Sequence, residues 1–206
     1  MDTTSPPVPN HHAGHPGFAG IGGVLAGLTM IVGRGPTARL AADLTAVTDR
    51  DHVVDVGCGP GTAVREAARR GAQVTAVDPA AVMLRLARVL TLGRRERVRW
   101  LDGAAEALPL GDASATVLWS VATVHHWADL DGGLREAFRV LASGGRFLAA
   151  ERRVRPGAKG HASHGWTDDQ ADAFASQCLA AGFIEVGVAS ERPRDRATLI
   201  VLAARP

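Results

Sequence analysis

Residues 53–62 read Val53-Val54-Asp55-Val56-Gly57-Cys58-Gly59-Pro60-Gly61-Thr62, and this stretch decides the fold. Val53–Val56 is a short, largely apolar run of the kind a buried strand makes. Gly57, Gly59 and Gly61 then let the backbone turn sharply and approach a ligand where a Cβ would collide. A helix pattern follows over Thr62–Arg70 and is ended by Gly71. Strand, glycine turn and helix together open a parallel α/β unit. A ligand in such a sheet binds beyond the carboxyl ends of the strands, near the point where strand order reverses.

Outward from that stretch the alternation continues. Strands are expected at 73–77, 97–101, 115–120 and 146–150, with helices at 80–90 and about 130–141, the last broken by Gly144-Gly145. Thr167-Asp168-Asp169-Gln170 is a capping-box start for a helix running to Gly182. Strands at 183–189 and 197–203 close the chain. The turn-like Ser190–Asp195 between them is too tight for a crossover helix, so one of the two runs antiparallel. The expectation is a doubly wound, Rossmann-like α/β fold with a seven-stranded, mostly parallel sheet whose last strand is antiparallel. Upstream, Pro36 opens a helix with Leu40, Leu44 and Val47 as its apolar face. Three regions are expected: a flexible arm over 1–16, a helical lid over 17–50, and the main domain over 51–206.

Composition narrows the function classes. The chain has 206 residues, 46% hydrophobic and 21% charged, with a net charge of +2. That is an ordinary globular balance, and the excess is too small to argue for nucleic-acid binding. Cys58 lies in the glycine loop and Cys178 in a helical pattern, so neither a disulfide framework nor a cysteine metal site is expected. The apolar segment 17–33 is shorter than the roughly 20 residues a spanning helix needs. It is also glycine-rich and has no Lys or Arg before it, so a cover over a ligand is expected in place of a signal peptide or membrane insertion. A cytoplasmic protein, monomeric or homodimeric, is expected. No metal site is expected: His11, His12 and His15 have no carboxylate or Cys nearby, and His161 and His164 lie in a glycine-rich loop without further ligands.

The glycine spacing bears on the ligand. A dinucleotide fingerprint wants glycines at relative positions one, three and six, but here the sixth position is Thr62. The string Asp-Val-Gly-Cys-Gly-Pro-Gly resembles the first motif of class I S-adenosylmethionine-dependent methyltransferases, and the resemblance extends from about Val53 to Ala150. It implies that Gly57, Cys58, Gly59 and Gly61 pass beside the methionine moiety and that Asp55 helps hold its amino group. Asp78-Pro79, at the end of the second strand, supplies a carboxylate for the ribose hydroxyls. Met83 either lies against adenine or packs the helix. Leu101-Asp102-Gly103-Ala104-Ala105-Glu106-Ala107-Leu108-Pro109-Leu110 looks like the family's Asp-Ala-Glu-x-Leu-Pro segment, shifted at Gly103-Ala104. Asp102 would accept from the adenine amino group and the Ala104 amide would meet a ring nitrogen.

The reacting end begins at Ser120-Val121, which the resemblance places beside the cofactor, and continues to His125-His126-Trp127. The His-His-Trp segment is similar to that of the small-molecule subgroup called methyltransferase type 11. No Asn/Asp-Pro-Pro-aromatic motif stands there, which counts against a DNA-base acceptor. Methyl transfer is an in-line displacement, so the acceptor must be aligned and, if it is a hydroxyl, deprotonated. His125, His126 and Glu151 are the candidates for this catalytic work. Equally, one histidine would hold cofactor or backbone, and Glu151 would pair with Arg152 or Arg153. Residues 152–166 would form a rim lined by Trp127 and Trp166. The function expected is methyl transfer from S-adenosyl-L-methionine, leaving S-adenosyl-L-homocysteine, to a small-molecule acceptor, with O-methylation favoured. A non-catalytic S-adenosylmethionine-binding protein and a nicotinamide-dependent oxidoreductase are the competitors.

Overall fold

The computed structural model describes residues 8–13, 34–194 and 196–206. Seven strands form one sheet: β1 (His52–Val56), β2 (Gln73–Asp78), β3 (Val98–Asp102), β4 (Ala115–Val121), β5 (Leu141–Arg152), β6 (Ile184–Glu191) and β7 (Thr198–Ala204). Their order is β3-β2-β1-β4-β5-β7-β6. The pairs among β1 to β5 are parallel, while β7 runs antiparallel to both β5 and β6. The expected topology therefore stands, with β7 as the reversed strand. The chain winds outward from β1 to β2 and β3, then returns to β4 on the other side. The switch point lies between β1 and β4, where an open α/β sheet places its ligand.

Alternating side chains divide the interior between the two faces of the sheet. Val53 and Leu148 point to one face, which is covered by α1 (Gly35–Leu44), α2 (Thr62–Arg69) and α3 (Ala81–Leu90). Val54 and Phe147 point to the other, covered by α4 (Leu130–Val140) and α5 (Asp168–Ala180). The first face is packed largely with alanines from α1 and α2, and the second with Trp127, Trp166, Phe174 and Phe183.

Two elements differ from expectation. The helix opened by Pro36 ends at Leu44, and its buried residues are Ala38, Ala41 and Ala42. Leu44 is exposed and Val47 is buried beyond the helix end, so the apolar stripe read from leucine spacing is not the packed face. The sheet here accepts small side chains, which lets α1 lie close. Second, Gly144-Gly145 does not end a helix. The chain is already extended at Leu141, and both glycines lie within β5. Pairing jumps from Ala115↔Leu141 to Val117↔Arg146, so the glycines sit in an irregularity of the β4–β5 ladder. There the Gly144 N–H donates to the Arg205 carbonyl and the Arg205 N–H to that of Gly145.

Residues 8–13, expected as part of a loose arm, lie against the body. Asn10 Nδ2 donates to the Trp127 carbonyl at 3.0 Å, and the buried Trp166 indole donates to the Pro9 carbonyl at 2.9 Å. Of the lid expected over 17–50, residues 17–33 fall outside the described residues. Among the described residues, no helix is long and apolar enough to cross a membrane.

Candidate active site

The glycine turn leaves β1 with Gly57, Gly59 and Gly61 all at positive φ. At Gly57 the requirement is twofold. Its φ is +72°, and a Cβ there would stand 2.6 Å from Thr123 Cγ2. Thr123 is fixed in that place because its hydroxyl donates to the Val56 carbonyl at 3.0 Å and pairs with Ser120 Oγ at 2.7 Å. Ser120 is thus fully buried under the turn, bracing it.

Beside the turn lies a recess lined by Arg34, Ala38, Asp55, Gly57, Cys58, Pro60 and Val121. Asp55 is 2% exposed, and its Oδ2 has no hydrogen-bond partner among the described residues. Burial, with Asp78 adding to it and Arg34 opposing, pushes the Asp55 carboxyl up to about 7. A buried acceptor with nothing to accept from marks a place for a donor. A ligand ammonium supplies one, so Asp55 fits the amino group of S-adenosylmethionine. Burial also pushes the Cys58 thiol well above its ordinary range, so Cys58 lines the recess as a neutral small side chain.

The acids of the neighbouring strands stand along the same carboxyl edge. Asp78 and Asp102 are register partners across β2 and β3. Asp78 Oδ2 accepts from the Gly59 N–H at 2.8 Å and Oδ1 from the Ala80 N–H at 2.9 Å. Each oxygen keeps a second lone pair for a ribose hydroxyl, so Asp78 both shapes the loop and remains available. Burial raises its pKa, with Asp102 adding and the two backbone donors opposing. Pro79 and Asp102 are exposed at the rim, whereas Met83 is 1% exposed. Gly103 has a packing reason, since a Cβ would stand 2.8 Å from Pro109 Cδ. Ala104 closes a tight bridge with Ala107. The shifted spelling of this segment therefore follows from its own turn.

The candidate acceptor end is built by β4 and β5. After β4 the chain turns at Ala122, at positive φ, and winds one short turn over Val124–His126. This carries His125 to Glu151, near the end of β5. His125 Nδ1 lies 2.9 Å from Glu151 Oε2, and the His125 N–H donates to Oε1 at 3.4 Å. Both residues are buried. Arg152 is spent on the carbonyls of His161, Ala162 and His164, and Arg153 on Asp168, so neither competes for Glu151. With Nδ1 committed to the carboxylate, Nε2 keeps the remaining ring position, and among the described residues it has no hydrogen-bond partner. His126 stands beside it, the rings 4.1 Å apart. Burial first, then the neighbouring His125 and His164, push the His126 pKa down to about 3, so its imidazole is neutral at physiological pH.

The structure corrects the expected rim. Trp127 and Trp166 do not line an opening; they are 5% and 0% exposed, packed against Phe174. The rim near His125 is instead made by His11, His12 and His164. Sequence reasoning also passed over Arg34 and Thr123. Arg34 stood as a lone cation after an apolar segment, a weak signal. Thr123 acts through a contact 66 residues away in the chain, which no local pattern reveals.

Residues 54–149 match a family model described as a methyltransferase domain. The C-methyltransferase UbiE of ubiquinone and menaquinone biosynthesis from Rubrivivax gelatinosus is 38% identical over 100 residues, 48% of this chain and 39% of that protein. A malonyl-[acyl-carrier protein] O-methyltransferase from Erwinia billingiae is 38% identical over 96 residues, 47% of this chain and 37% of that one. The matched segments span less than half the length of these two relatives. An S-adenosylmethionine-dependent methyltransferase from Aquifex aeolicus superposes with a TM-score of 0.73 at 17% identity, covering 87% of this chain and 96% of that one. Over residues 54–149 the chain is similar to methyltransferase domains, and its fold is that of a class I S-adenosylmethionine-dependent methyltransferase.

Proposed function

We propose that the chain transfers a methyl group from S-adenosyl-L-methionine to a small-molecule acceptor, with oxygen the favoured acceptor atom, as a cytoplasmic monomer or homodimer. The observation that carries the reading is the buried His125–Glu151 pair at the carboxyl edge of the sheet, the edge that also carries Asp55, whose Oδ2 has no partner among the described residues. The cofactor when bound supplies an electrophilic methyl group on a sulfonium. The chain supplies the rest. Asp55 and the glycine turn hold the methionine end, Asp78 the ribose, and Asp102 with the Ala104 segment the adenine.

Glu151 accepts from His125 Nδ1, which fixes the ring and its tautomer and leaves Nε2 to take the acceptor proton. Neutral His126 orients the acceptor as a hydrogen-bond partner. Its depressed basicity suits it poorly to removing the proton itself. Arg34, facing both Asp55 and Glu151 electrostatically, balances their charge. The matched relatives methylate carbon in one case and oxygen in the other. A hydroxyl is favoured here because the His125–Glu151 pair offers a place for its proton.

The test is a labelled-methyl assay across alcohols, phenols, carboxylates, amines and activated carbons, with the acceptors found then run on a His125→Ala/His126→Ala double variant. Loss of about 100-fold or more in turnover of hydroxyl acceptors is expected, the usual scale of general base catalysis. Full turnover in the double variant would remove both histidines from the chemistry. Cofactor binding is tested separately. Asp78→Ala should weaken S-adenosylhomocysteine affinity at least tenfold by calorimetry, because a hydrogen bond to a charged group is worth about 1.5–3 kcal/mol.

A further inference from the structure

The acceptor end gathers more imidazoles than methyl transfer requires. His125, His126 and His164 each place one ring nitrogen so that all three lie within 4.8 Å of one another. Their rings pair at centroid distances of 4.1, 5.4 and 5.3 Å. Two of the three come from the turn after β4, and the third from the loop joining β5 to α5. His12 packs on His164 at 4.4 Å with the rings nearly parallel, and the backbone N–H of His12 donates to the His125 carbonyl. We propose that His125, His126 and His164 bind a divalent transition-metal ion of the zinc class, leaving one coordination position for water or an acceptor lone pair.

The donor set decides the class of ion. Three neutral imidazole nitrogens suit zinc and its first-row neighbours, whereas magnesium and calcium want oxygen. A tetrahedral zinc holds nitrogens at about 2.0–2.1 Å, hence about 3.4 Å from one another. Closing the observed triangle therefore asks for small ring rotations in side chains carried by loops.

The surroundings of His125 are those of a metal ligand. Its side chain is 3% exposed and its Nδ1 lies against the carboxylate of Glu151. A metal-bound histidine characteristically gives its other N–H to a carboxylate in this way, which fixes the ring and strengthens the donor nitrogen. Nε2, which has no hydrogen-bond partner among the described residues, is then the ligand atom, and the ion removes the cost of burying it unsatisfied.

This inference deepens the methyl-transfer reading and rests on it only for the use of the open position. With the ion present, His125 Nε2 would be a ligand and no longer a base; a hydroxyl acceptor at the open position would have its pKa lowered by the metal and would lose its proton to solvent water. Metal uptake itself does not depend on methyl transfer.

The experiment uses tag-free, full-length protein stripped with a chelator. Cobalt(II) is titrated in and followed by its visible ligand-field bands, and zinc is counted by equilibrium dialysis. One ion per chain is expected, with cobalt bands of a four- or five-coordinate site that zinc displaces. His164→Ala, at a half-buried loop position that leaves the core intact, should weaken affinity at least tenfold. Glu151→Gln should weaken it 10- to 100-fold, the usual range for a group supporting a ligand from behind. His11→Ala should retain binding, since both His11 ring nitrogens are engaged by Ser163 and Gln170. No binding near one ion per chain, unchanged affinity in His164→Ala, or a larger loss in His11→Ala than in His164→Ala would overturn the proposal. Methyl transfer by metal-free protein at full rate would sink the metal's role in turnover and leave the methyltransferase reading standing.

Discussion

Asp55 combines burial, an Oδ2 without a hydrogen-bond partner among the described residues, and a carboxyl pushed up to about 7. The sign of its effect on stability follows directly. The folded chain holds a proton at Asp55 that the unfolded chain has already lost above about 4, so this contribution is present at low pH and fades as pH rises through about 7. Cofactor-free protein should lose of the order of a few kcal/mol of stability over that interval through Asp55, and Asp55→Asn should flatten the profile measured by urea unfolding. Charge pairing with a ligand ammonium requires the ionised form. Binding of S-adenosylhomocysteine at pH 6.5 should therefore release protons, seen as a buffer-dependent calorimetric enthalpy that Asp55→Asn abolishes. Gly57 carries a second prediction. Gly57→Ala combines a left-handed conformation, costing about 1–2 kcal/mol, with the collision on Thr123, which overpacking data put at about 1–3 kcal/mol. Thr123→Gly should restore part of the loss in urea melts, because the contact disappears while the backbone strain stays. At this scale the glycines were legible in the sequence, since steric demands of the backbone leave so direct a mark. The braces behind them, Ser120 and Thr123, were not, because their roles depend on which strand lies next to β1.

Among the elements, α5 has the most explicit start signal. Thr167 accepts from the Gln170 N–H while the Gln170 side chain accepts from the Thr167 N–H, completing the capping box read from the sequence. Thr167→Ala should cost about 1 kcal/mol by chemical unfolding and speed amide exchange in the first turn of α5. The existence of β1, β2 and β4 was legible for a related reason, since near-continuous apolar runs have few other places to go. Element boundaries that depend on partners were less so. Gly144-Gly145 looks like a helix stop in one dimension, but pairing with Arg205 near the end of the chain draws it into the sheet. Trp127 and Trp166 were read as rim residues because both sit in loops. Their burial depends on Phe174, which reaches them from the opposite side of that cluster on α5.

For the whole molecule, the arrangement places the recess beside Asp55, the proposed methyl-donor site, and the histidine cluster on one carboxyl edge, one on each side of the β4 terminus. The glycine turn and the acids at the ends of β2 and β3, the half proposed to hold the cofactor, were locatable from the sequence because they form one contiguous run and two strand ends. The histidine half was not, because it joins positions 11–12, 125–126 and 164, and no spacing rule links residues so far apart in the chain. Deleting residues 1–13 should lower the melting temperature by several degrees, through loss of the contacts to Trp127, Trp166, His125 and Gln170. A truncation that melts like the intact chain would show that these contacts contribute nothing to stability.

The Pro9 carbonyl has a consequence for anyone handling the protein. It is the acceptor for an indole N–H that is otherwise sealed within the aromatic cluster. Leaving a buried donor unmatched costs about 1–3 kcal/mol. A chain trimmed to begin at the first helix therefore alters the interior as well as the surface, by leaving the Trp166 indole without its acceptor.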